Sequence, residues 1–234
     1  MTWKLRSRVG SRSRKEADLA YLHISKTGGT QIKLLFEQIA NLGVSFKAYA
    51  HLRKLTDISH QTPYFFSIRG PVSRFVSGFY ERKRAGGSAY ANPWSQHEAL
   101  AFARFEHANR LAEDLLKEGE VGRLARKAIG SISHTASHQV DQFSRAGYFL
   151  SERPPVAIVR QEFFEDDLQL LLERLGLRVS VQSLLTHDPS KARITDYKDV
   201  PRLSALAIKS IETWYKRDMW FYRDCESWIR DWRP

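Results

Sequence analysis

A strand, a glycine-containing loop and a helix follow one another near the start of the chain, and this order constrains the fold more than any other feature of the sequence. Residues 19–24 (LAYLHI) form an apolar run that is typical of a buried strand, and the loop SKTGGT follows at 25–30. Apolar residues then recur at three- and four-residue spacing, which predicts one face of a helix: Ile32, Leu35, Phe36 and Ile39. The segment therefore has the strand–loop–helix form from which parallel α/β sheets are built.

The rest of the chain continues to alternate between strands and helices. Further strands are predicted at 44–50, 64–68 and 156–159, and helices from Pro71 onward and at 95–128, 131–146, 164–175 and 201–222. This alternation predicts an α/β fold, a single domain with a central parallel sheet flanked by helices. Ligands of such folds bind at the carboxyl ends of the strands, and the three clearest strands run into Ser25-Lys26, Arg69 and Arg160.

The chain carries a formal charge of +11 over 234 residues, with 37 Lys and Arg against 26 Asp and Glu. Such a surplus points to an anionic partner, such as a nucleotide, a nucleic acid, an anionic sugar or a lipid surface. Six of the basic residues lie within residues 1–15, which hold no acid, so the remainder carries only +5. We therefore expect a basic tail at 1–17, able to make weak contact with an anionic membrane, and one folded domain at 18–234.

Cysteine content and hydropathy narrow the class of protein further. Cys225 is the single cysteine, which excludes a disulfide framework and a cysteine-based zinc site. The sequence has no run of about 18 apolar residues to predict a membrane-spanning helix. Residues 1–20 also lack the apolar stretch of a secretory signal. The expectation is a soluble, cytoplasmic protein.

The loop at 25–30 has the chemistry of an anion cradle. Gly28 and Gly29 let the backbone turn tightly and approach a ligand, and the helix that follows offers unpaired N–H groups and a partial positive charge. Lys26 adds a full positive charge, while Thr27 and Thr30 add hydroxyls. The loop is not a Walker A motif, because GxxxxGK[ST] is absent. The other strand ends carry arginine rather than an acidic metal ligand, so we expect a site that requires no metal.

A second basic segment, SIRGPVSRFVSGFY, includes and follows the end of the strand at 64–68. Arg69 stands at the strand end, and Ser77 lies about two helical turns further on. A guanidinium holds a phosphate through two parallel hydrogen bonds, and a hydroxyl can complete the contact. Arg74, between them, is either a further phosphate contact or a solvated helix residue.

The chain resembles the sulfotransferases that use 3′-phosphoadenosine-5′-phosphosulfate (PAPS) in two segments, KTGGT at 26–30 and RGPVSRFVS at 69–77. The closer match is their carbohydrate branch, which includes heparan 2-O-sulfotransferase, and the chain looks like a soluble, bacterial-type member. The segments at 157–176 (AIVRQEFFEDDLQLLLERLG) and 214–222 (WYKRDMWFY) continue the resemblance weakly. Two residues depart from the family pattern, since Gly70 replaces a common Asp and Ser25 replaces a common Pro. Neither supplies a charge that the nucleotide needs.

The resemblance implies a P-loop-like nucleotide-binding fold and a transfer from PAPS that leaves 3′,5′-ADP. It implies that Lys26 contacts the bridging oxygen from which the sulfuryl group departs. Residues 27–30 would hold the 5′-phosphate, chiefly through the N–H groups of the last three. Arg69 and Ser77 would hold the 3′-phosphate, and Arg160 is a further candidate contact to the nucleotide.

The transfer needs a group that takes the proton of the acceptor hydroxyl, and histidine suits this because its unperturbed pKa is about 6.5. His51, in AYAHLRKLTDI, follows the predicted second strand. The resemblance implies the same residue, because the catalytic histidine of heparan 2-O-sulfotransferase occupies a similar place. Other branches of the family use a glutamate, for which Glu37 and Glu81 lie near the nucleotide segments.

The acceptor is an alcohol, which the resemblance implies to be part of a carbohydrate or a glycolipid. His134 and His138 share a helix face if residues 131–146 are helical, and with Gln139 they are candidate acceptor contacts. Lys191 and Arg193, in DPSKARITDY, either reach the nucleotide or an anionic acceptor, or are simply solvated. The spacing of the two histidines also occurs at zinc sites, but the sequence has no HExxH motif and no evident third ligand, so no metal is expected.

Two other functions stay open at this point. A metal-dependent nucleotide kinase or other NTPase would also use a glycine loop, but the chain has neither a Walker A motif nor an aspartate at the end of a predicted strand. A non-enzymatic module that binds polyanions would explain the charge. The chain has no recognised motif for reading DNA or RNA, so no specific nucleic acid is expected.

Overall fold

The computed structural model describes residues 19–84, 92–143, 148–185 and 200–232. Contacts divide the chain into two compact units, each assembled from separate stretches of sequence. We call them the sheet unit, with described residues 19–69, 141–143, 148–185 and 223–232, and the helical unit, with 70–84, 92–140 and 200–222. The predicted tail at 1–17 lies outside the described residues.

Four parallel strands form the sheet in this part of the chain: β1 (Leu19–Leu22), β2 (Phe46–Tyr49), β3 (Tyr64–Ile68) and β4 (Ala157–Arg160). They stand in the order β2-β1-β3-β4. The register pairs Leu19 with Phe46, Ala20 with Tyr64, and Phe65 with Ala157. The prediction of an α/β fold with a parallel sheet and flanking helices is therefore confirmed.

The described helices are α1 (Gly29–Ile39), α2 (Pro71–Arg84), α3 (Gln96–Arg104), α4 (Ala108–Asp114), α5 (Gly119–Ser131), α6 (Ser133–Ala136), α7 (Phe149–Glu152), α8 (Phe164–Arg174), α9 (Val181–Leu184), α10 (Ala205–Trp214) and α11 (Lys216–Trp232). Short 3₁₀ turns cover Ala40–Leu42, Leu55–Asp57, Val140–Gln142 and Gln161–Phe163. None of these helices has the length and apolarity needed to cross a bilayer.

The core of the sheet unit explains why β1, β3 and β4 are largely apolar and are buried at every position, unlike β2. Alternate side chains of a strand point to opposite faces of the sheet, so a sheet covered on both faces buries every position. On one face Tyr21, Phe65 and Val159 share a buried cluster with the apolar residues of α1 and α8. On the other face the ring of Phe66 lies 4.7 Å from that of Phe143, measured between centroids.

The helical unit has its own core, to which α2, α3, α4, α5 and α10 contribute. α3 begins with a reciprocal cap, in which Ser95 accepts the N–H of Glu98 and the Glu98 carboxylate accepts the N–H of Ser95. The same carboxylate receives two hydrogen bonds of 2.7 Å from Arg82 of α2. Burial opposes ionisation, but these donors outweigh it and lower the pKa of Glu98 to about 2.

Several predicted helix boundaries are wrong, and tertiary contacts explain them. The helix predicted at 95–128 is three helices, because Phe105 adopts an extended backbone and buries its ring instead of continuing α3. The helix predicted at 201–222 begins at Ser204, whose hydroxyl caps α10, and it breaks at Tyr215, which is fully buried. α8 ends as predicted before Gly176, which has a φ of +75°.

Candidate functional site

The carboxyl ends of the four strands carry several of the predicted site residues. β1 leads into Lys26, β2 into His51 and β3 into Arg69, while β4 ends at Arg160 itself. Because all four strands are parallel, these ends lie at one edge of the sheet and within the sheet unit. The structure therefore brings these four residues to the same edge.

The order of strands changes direction between β1 and β3. From β1 the chain passes through α1 to β2 on one side, and β3 then pairs with the other side of β1. Open α/β sheets bind their ligands at such a switch point. The register pairs Leu22 of β1 with Phe66 of β3. Ser25 lies three residues after Leu22, and Arg69 lies three residues after Phe66, so both residues follow their strands at the same level. The loop at 25–30 and Arg69 thus flank the position where the fold itself predicts a ligand.

Two glycines give this loop its shape. Gly28 has a φ of +88°, and this left-handed conformation costs other residues roughly 1–2 kcal/mol. A Cβ at Gly28 would lie 2.4 Å from Oε1 of Gln161 and 2.6 Å from the ring of Phe164. A Cβ at Gly29 would lie 1.8 Å from Nε2 of His23. Gly28 is therefore required by conformation and by contact, and Gly29 by contact.

Lys26 adopts a strained backbone conformation at the start of the loop. Among the described residues it is the one non-glycine residue with a positive φ, at +68°. Holding a lysine in that region costs on the order of 1–3 kcal/mol, and such strain concentrates at functional sites. Lys26 is half-buried in this conformation.

A chain of buried hydroxyl groups fixes the loop to the sheet. Thr27 donates its hydroxyl hydrogen to the carbonyl of Ile24 at 2.7 Å. Its oxygen therefore accepts from Ser67 at 2.6 Å, and the Ser67 oxygen accepts in turn from Tyr21 at 2.6 Å. All three side chains are fully buried, and burial raises the pKa of Tyr21 above its ordinary value. The hydroxyl of Thr27 thus points into the protein and holds the shape of the loop.

The N-terminus of α1 follows the loop directly. Gly28 precedes the helix, no side chain among the described residues caps it, and its first turn holds no acid. Thr30, in that first turn, is half-buried. The partial positive charge at this helix end is therefore not offset by an acid in its own first turn.

Two histidines meet at the same edge of the sheet. His51 is exposed, whereas His23, directly after β1, is 6% exposed. Their ring centroids are 4.0 Å apart, and Nδ1 of His51 lies 3.4 Å from the carbonyl oxygen of His23. A carbonyl oxygen only accepts, so Nδ1 of His51 is the donor in this hydrogen bond. Burial, together with the charges of His51, Lys33 and Lys26, lowers the pKa of His23 to about 3.

Arg160 is held by a buried ion pair at the end of β4. Its Nε and Nη2 atoms donate to the two carboxylate oxygens of Asp167, each at 2.8 Å. Its guanidinium carbon also lies 4.2 Å from the centroid of the Phe163 ring, which is 46% exposed. The charge of Arg160 is thus matched within the protein, a pairing that the sequence did not reveal.

The helical unit contains the rest of the second basic segment. Ser77 is buried in α2. Arg74, also in α2, is 2% exposed, so its interpretation as a solvated helix residue is wrong. Its Nη1 atom donates to the carbonyl of Ser137 at 2.9 Å and lies 3.9 Å from a carboxylate oxygen of Asp218. Arg74 therefore helps to join α2 to the segment that follows α6.

The two histidines at 134 and 138 do not share a helix face, so that prediction is wrong. α6 carries His134 and ends two residues before His138. The carboxylate of Asp218 accepts the N–H groups of Gln139 and Val140 at 2.9 and 3.1 Å. These bonds hold the chain outside a helix, which is why the helix predicted at 131–146 does not form.

The proposed acceptor residues of this region make contacts inside the helical unit. His134 packs against α2, since a Cβ on Gly78 would lie 3.0 Å from the His134 carbonyl oxygen. Nδ1 of His138 lies 3.8 Å from Asp218, and Gln139 is fully buried. Lys191 and Arg193 lie outside the described residues. Within the described ranges, no three His, Cys, Asp or Glu residues gather as metal ligands would.

Sequence reasoning missed two residues of this edge, His23 and Gln142. His23 shares strand parity with Tyr21, and this parity places it on the α1 side of the sheet. Gln142 donates from Nε2 to the carbonyl of His23 at 3.3 Å and to the carbonyl of His51. No local pattern marks Gln142, because its partners lie far away in the sequence.

Comparison of the chain with protein-family models and with curated protein sequences gave no match.

Proposed function

We propose that the chain is a sulfotransferase that moves the sulfuryl group of PAPS to the hydroxyl of an acceptor. The observation that carries the proposal is the position of the KTGGT loop and Arg69 on neighbouring strands at the switch point of the parallel sheet. Both segments resemble PAPS-binding segments in sequence. The strained backbone of Lys26 supports the proposal, because the fold places a cation there at an energetic cost.

In the proposed step, the acceptor oxygen bonds to sulfur while the bond between sulfur and the 5′-phosphate oxygen breaks. The acceptor proton passes to Nε2 of His51, and 3′,5′-ADP leaves. Lys26 stabilises the negative charge that develops on the departing oxygen. This contribution is large when the cation is already in place before the reaction.

His51 suits the role of general base for two reasons. Its ring is exposed to an incoming acceptor, and its Nδ1–H bond to the carbonyl of His23 leaves Nε2 as the proton acceptor. The neighbouring His23 stays neutral near pH 7, since its pKa is about 3, and so adds no charge beside the base.

The phosphates of the donor are assigned to separate groups. The N–H groups at the start of α1 would hold the 5′-phosphate, and Arg69 the 3′-phosphate. Because Asp167 already neutralises the charge of Arg160, we assign Arg160 a structural role, in which it stabilises the end of β4. The acceptor class, an alcohol of a carbohydrate or glycolipid, also rests on the resemblance. Contact with Gln139 would require its fully buried side chain to be uncovered.

Calorimetric titration with 3′,5′-ADP in the presence of EDTA tests the nucleotide site. We expect binding that Lys26→Ala weakens and that Lys47→Ala leaves unchanged. Lys47 is a matched control, because it is an exposed lysine on β2 whose loss changes the net charge equally. Preference for ATP with Mg²⁺ would indicate an NTPase instead. Tight binding of DNA with a steep salt dependence, unaffected by Lys26→Ala, would indicate a polyanion-binding module.

The reaction itself is tested with radiolabelled PAPS and a panel of sugars, glycolipids and simple alcohols. Removal of one preorganised donor lowers the rate on the order of 10²–10³-fold, and we expect this for Lys26→Ala. Unchanged sulfate transfer by Lys26→Ala would overturn the mechanism.

A further inference from the structure

The segment that carries His51 lacks the apolar anchoring of the strands beside it. His51, Leu52, Arg53 and Lys54 are all exposed, and Leu55 is the first buried side chain after β2. Hydrophobic burial therefore does not fix the orientation of the His51 ring. Hydrogen bonds and the contact with His23 must do so.

Gln142 makes two hydrogen bonds to the backbone of the two histidines. Its side chain is 7% exposed, and its Nε2 atom donates both to the carbonyl of His23, at 3.3 Å, and to the carbonyl of His51. The amide thereby joins the backbone after β1 to the backbone after β2. The His23 carbonyl then accepts from two groups, Gln142 Nε2 and His51 Nδ1.

We propose that Gln142 is a positioning residue that holds His51 in the Nδ1–H tautomer, because it fixes the His23 carbonyl to which Nδ1 of His51 donates. The effect on the tautomer of His51 is independent of the proposed function, whereas the consequence for catalysis rests on it. A primary amide is required because its two N–H groups reach two carbonyl oxygens at once. Glutamate has the same shape but no such donors when ionised, and leucine has none.

A role in stability alone explains Gln142 less well. No donor among the described residues reaches its buried Oε1 atom. An unsatisfied buried acceptor costs about 1–3 kcal/mol, which an apolar side chain of similar size would avoid. The residue is therefore better explained by what its N–H groups orient than by the energy that it adds.

Nitrogen NMR of the imidazole rings in ¹⁵N-histidine-labelled protein tests the proposal, because the two tautomers give distinct spectra. His51→Gln assigns the His51 signals by their loss. In the wild-type protein at neutral pH we expect His51 as the Nδ1–H form, although free imidazole side chains favour Nε2–H. In Gln142→Leu and Gln142→Glu we expect a shift toward the Nε2–H form.

Gln38→Leu is the matched control. Gln38 also donates from Nε2 to a backbone carbonyl, that of Leu184 at 2.7 Å, but on the exposed surface of α1. We expect this variant to leave the His51 spectrum unchanged. An Nε2–H form of His51 in the wild type would overturn the proposal even if the Gln142 variants failed to fold. So would an unchanged tautomer in folded Gln142→Leu.

Two further measurements separate this inference from the proposed function. In Gln142→Leu we expect 3′,5′-ADP to bind as in the wild type, while kcat for sulfate transfer falls by up to about 10²-fold. If 3′,5′-ADP does not bind the wild type, but the tautomer responds to Gln142, then the proposed function fails and the positioning role stands. If transfer occurs and the tautomer does not respond, the positioning role fails alone.

Discussion

The rings of His23 and His51 lie with their centroids 4.0 Å apart where the neighbouring strands β1 and β2 end. One ring is buried beneath the glycine loop and the other faces solvent. The buried ring is kept neutral at neutral pH, so it places no positive charge beside the exposed ring. His23 therefore fills the space under Gly29, whereas the ring of His51 is exposed.

Neutral burial of His23 predicts a specific loss of stability in acid. The pKa of His23 is about 3 in the folded chain against 6.5 when unperturbed, so the unfolded state takes up a proton that the folded state refuses. The stabilisation is complete above pH 6.5 and is lost as the pH falls toward 3. Each unit of difference between the folded and unfolded pKa of His23 corresponds to about 1.4 kcal/mol. Urea unfolding between pH 7 and pH 4 measures it.

His23→Gln removes this titration, so its free energy of unfolding should fall less steeply with acid than that of the wild type. His60→Gln, which replaces an exposed histidine, is the control and should keep the wild-type slope. Identical slopes for wild type and His23→Gln would contradict the assignment.

Alanine at Gly29 should disable nucleotide binding without a change of charge. The new Cβ would lie 1.8 Å from Nε2 of His23, so either the ring or the loop must move. We expect affinity for 3′,5′-ADP to fall at least tenfold, as measured by calorimetry. Gly130→Ala is the control, because Gly130 is an exposed helical residue with open space around it. This control should bind normally and gain up to about 1 kcal/mol of stability. Normal affinity in Gly29→Ala would show that the loop tolerates a different shape.

The hydroxyl chain under the loop predicts unequal effects from two conservative substitutions. Ser67→Ala leaves the Tyr21 hydroxyl without its acceptor and the Thr27 oxygen without its donor, which should cost about 1–3 kcal/mol for each buried group. Tyr21→Phe removes only the outer hydroxyl of the chain and should cost about 1 kcal/mol. Chemical denaturation of both variants and of the double variant measures the coupling. Costs of the two single variants that simply add in the double variant would show that the chain does not act as a unit.

The fold was largely predictable because its elements are set by local patterns. Apolar strand runs, the helical spacing after Thr30 and the strand-breaking Gly70-Pro71 all appear in the sequence itself, and the observed strand Tyr64–Ile68 matches its predicted range. The meeting of Lys26 and Arg69 at one sheet edge followed from the general rule for parallel sheets.

The contacts that orient the site could not be predicted in this way, because they join residues that are distant in sequence. Gln142 bonds to carbonyls 91 and 119 positions away, and no spacing rule connects them. The predicted helix at 131–146 failed for the same reason, since the carboxylate of Asp218 takes up N–H groups that local propensity would have given to a helix. Residues that position others through long-range contacts, such as Gln142 and Asp218, are therefore the ones that local sequence patterns do not identify.

Asp167 provides the clearest test of such a hidden contact. Its carboxylate receives the Nε and Nη2 atoms of Arg160 at 2.8 Å, and both side chains are almost wholly buried. Asp167→Asn leaves the guanidinium buried without a counter-charge, and we expect a loss of about 3–5 kcal/mol in unfolding free energy. Asp166→Asn, one position earlier and exposed, should stay within about 0.5 kcal/mol of the wild type. Replacing both partners, as Arg160→Met with Asp167→Leu, should recover much of the stability, because no unpaired charge then remains. Recovery together with normal 3′,5′-ADP affinity would show that Arg160 shapes the strand end, whereas recovery with lost affinity would show that its guanidinium also binds the nucleotide.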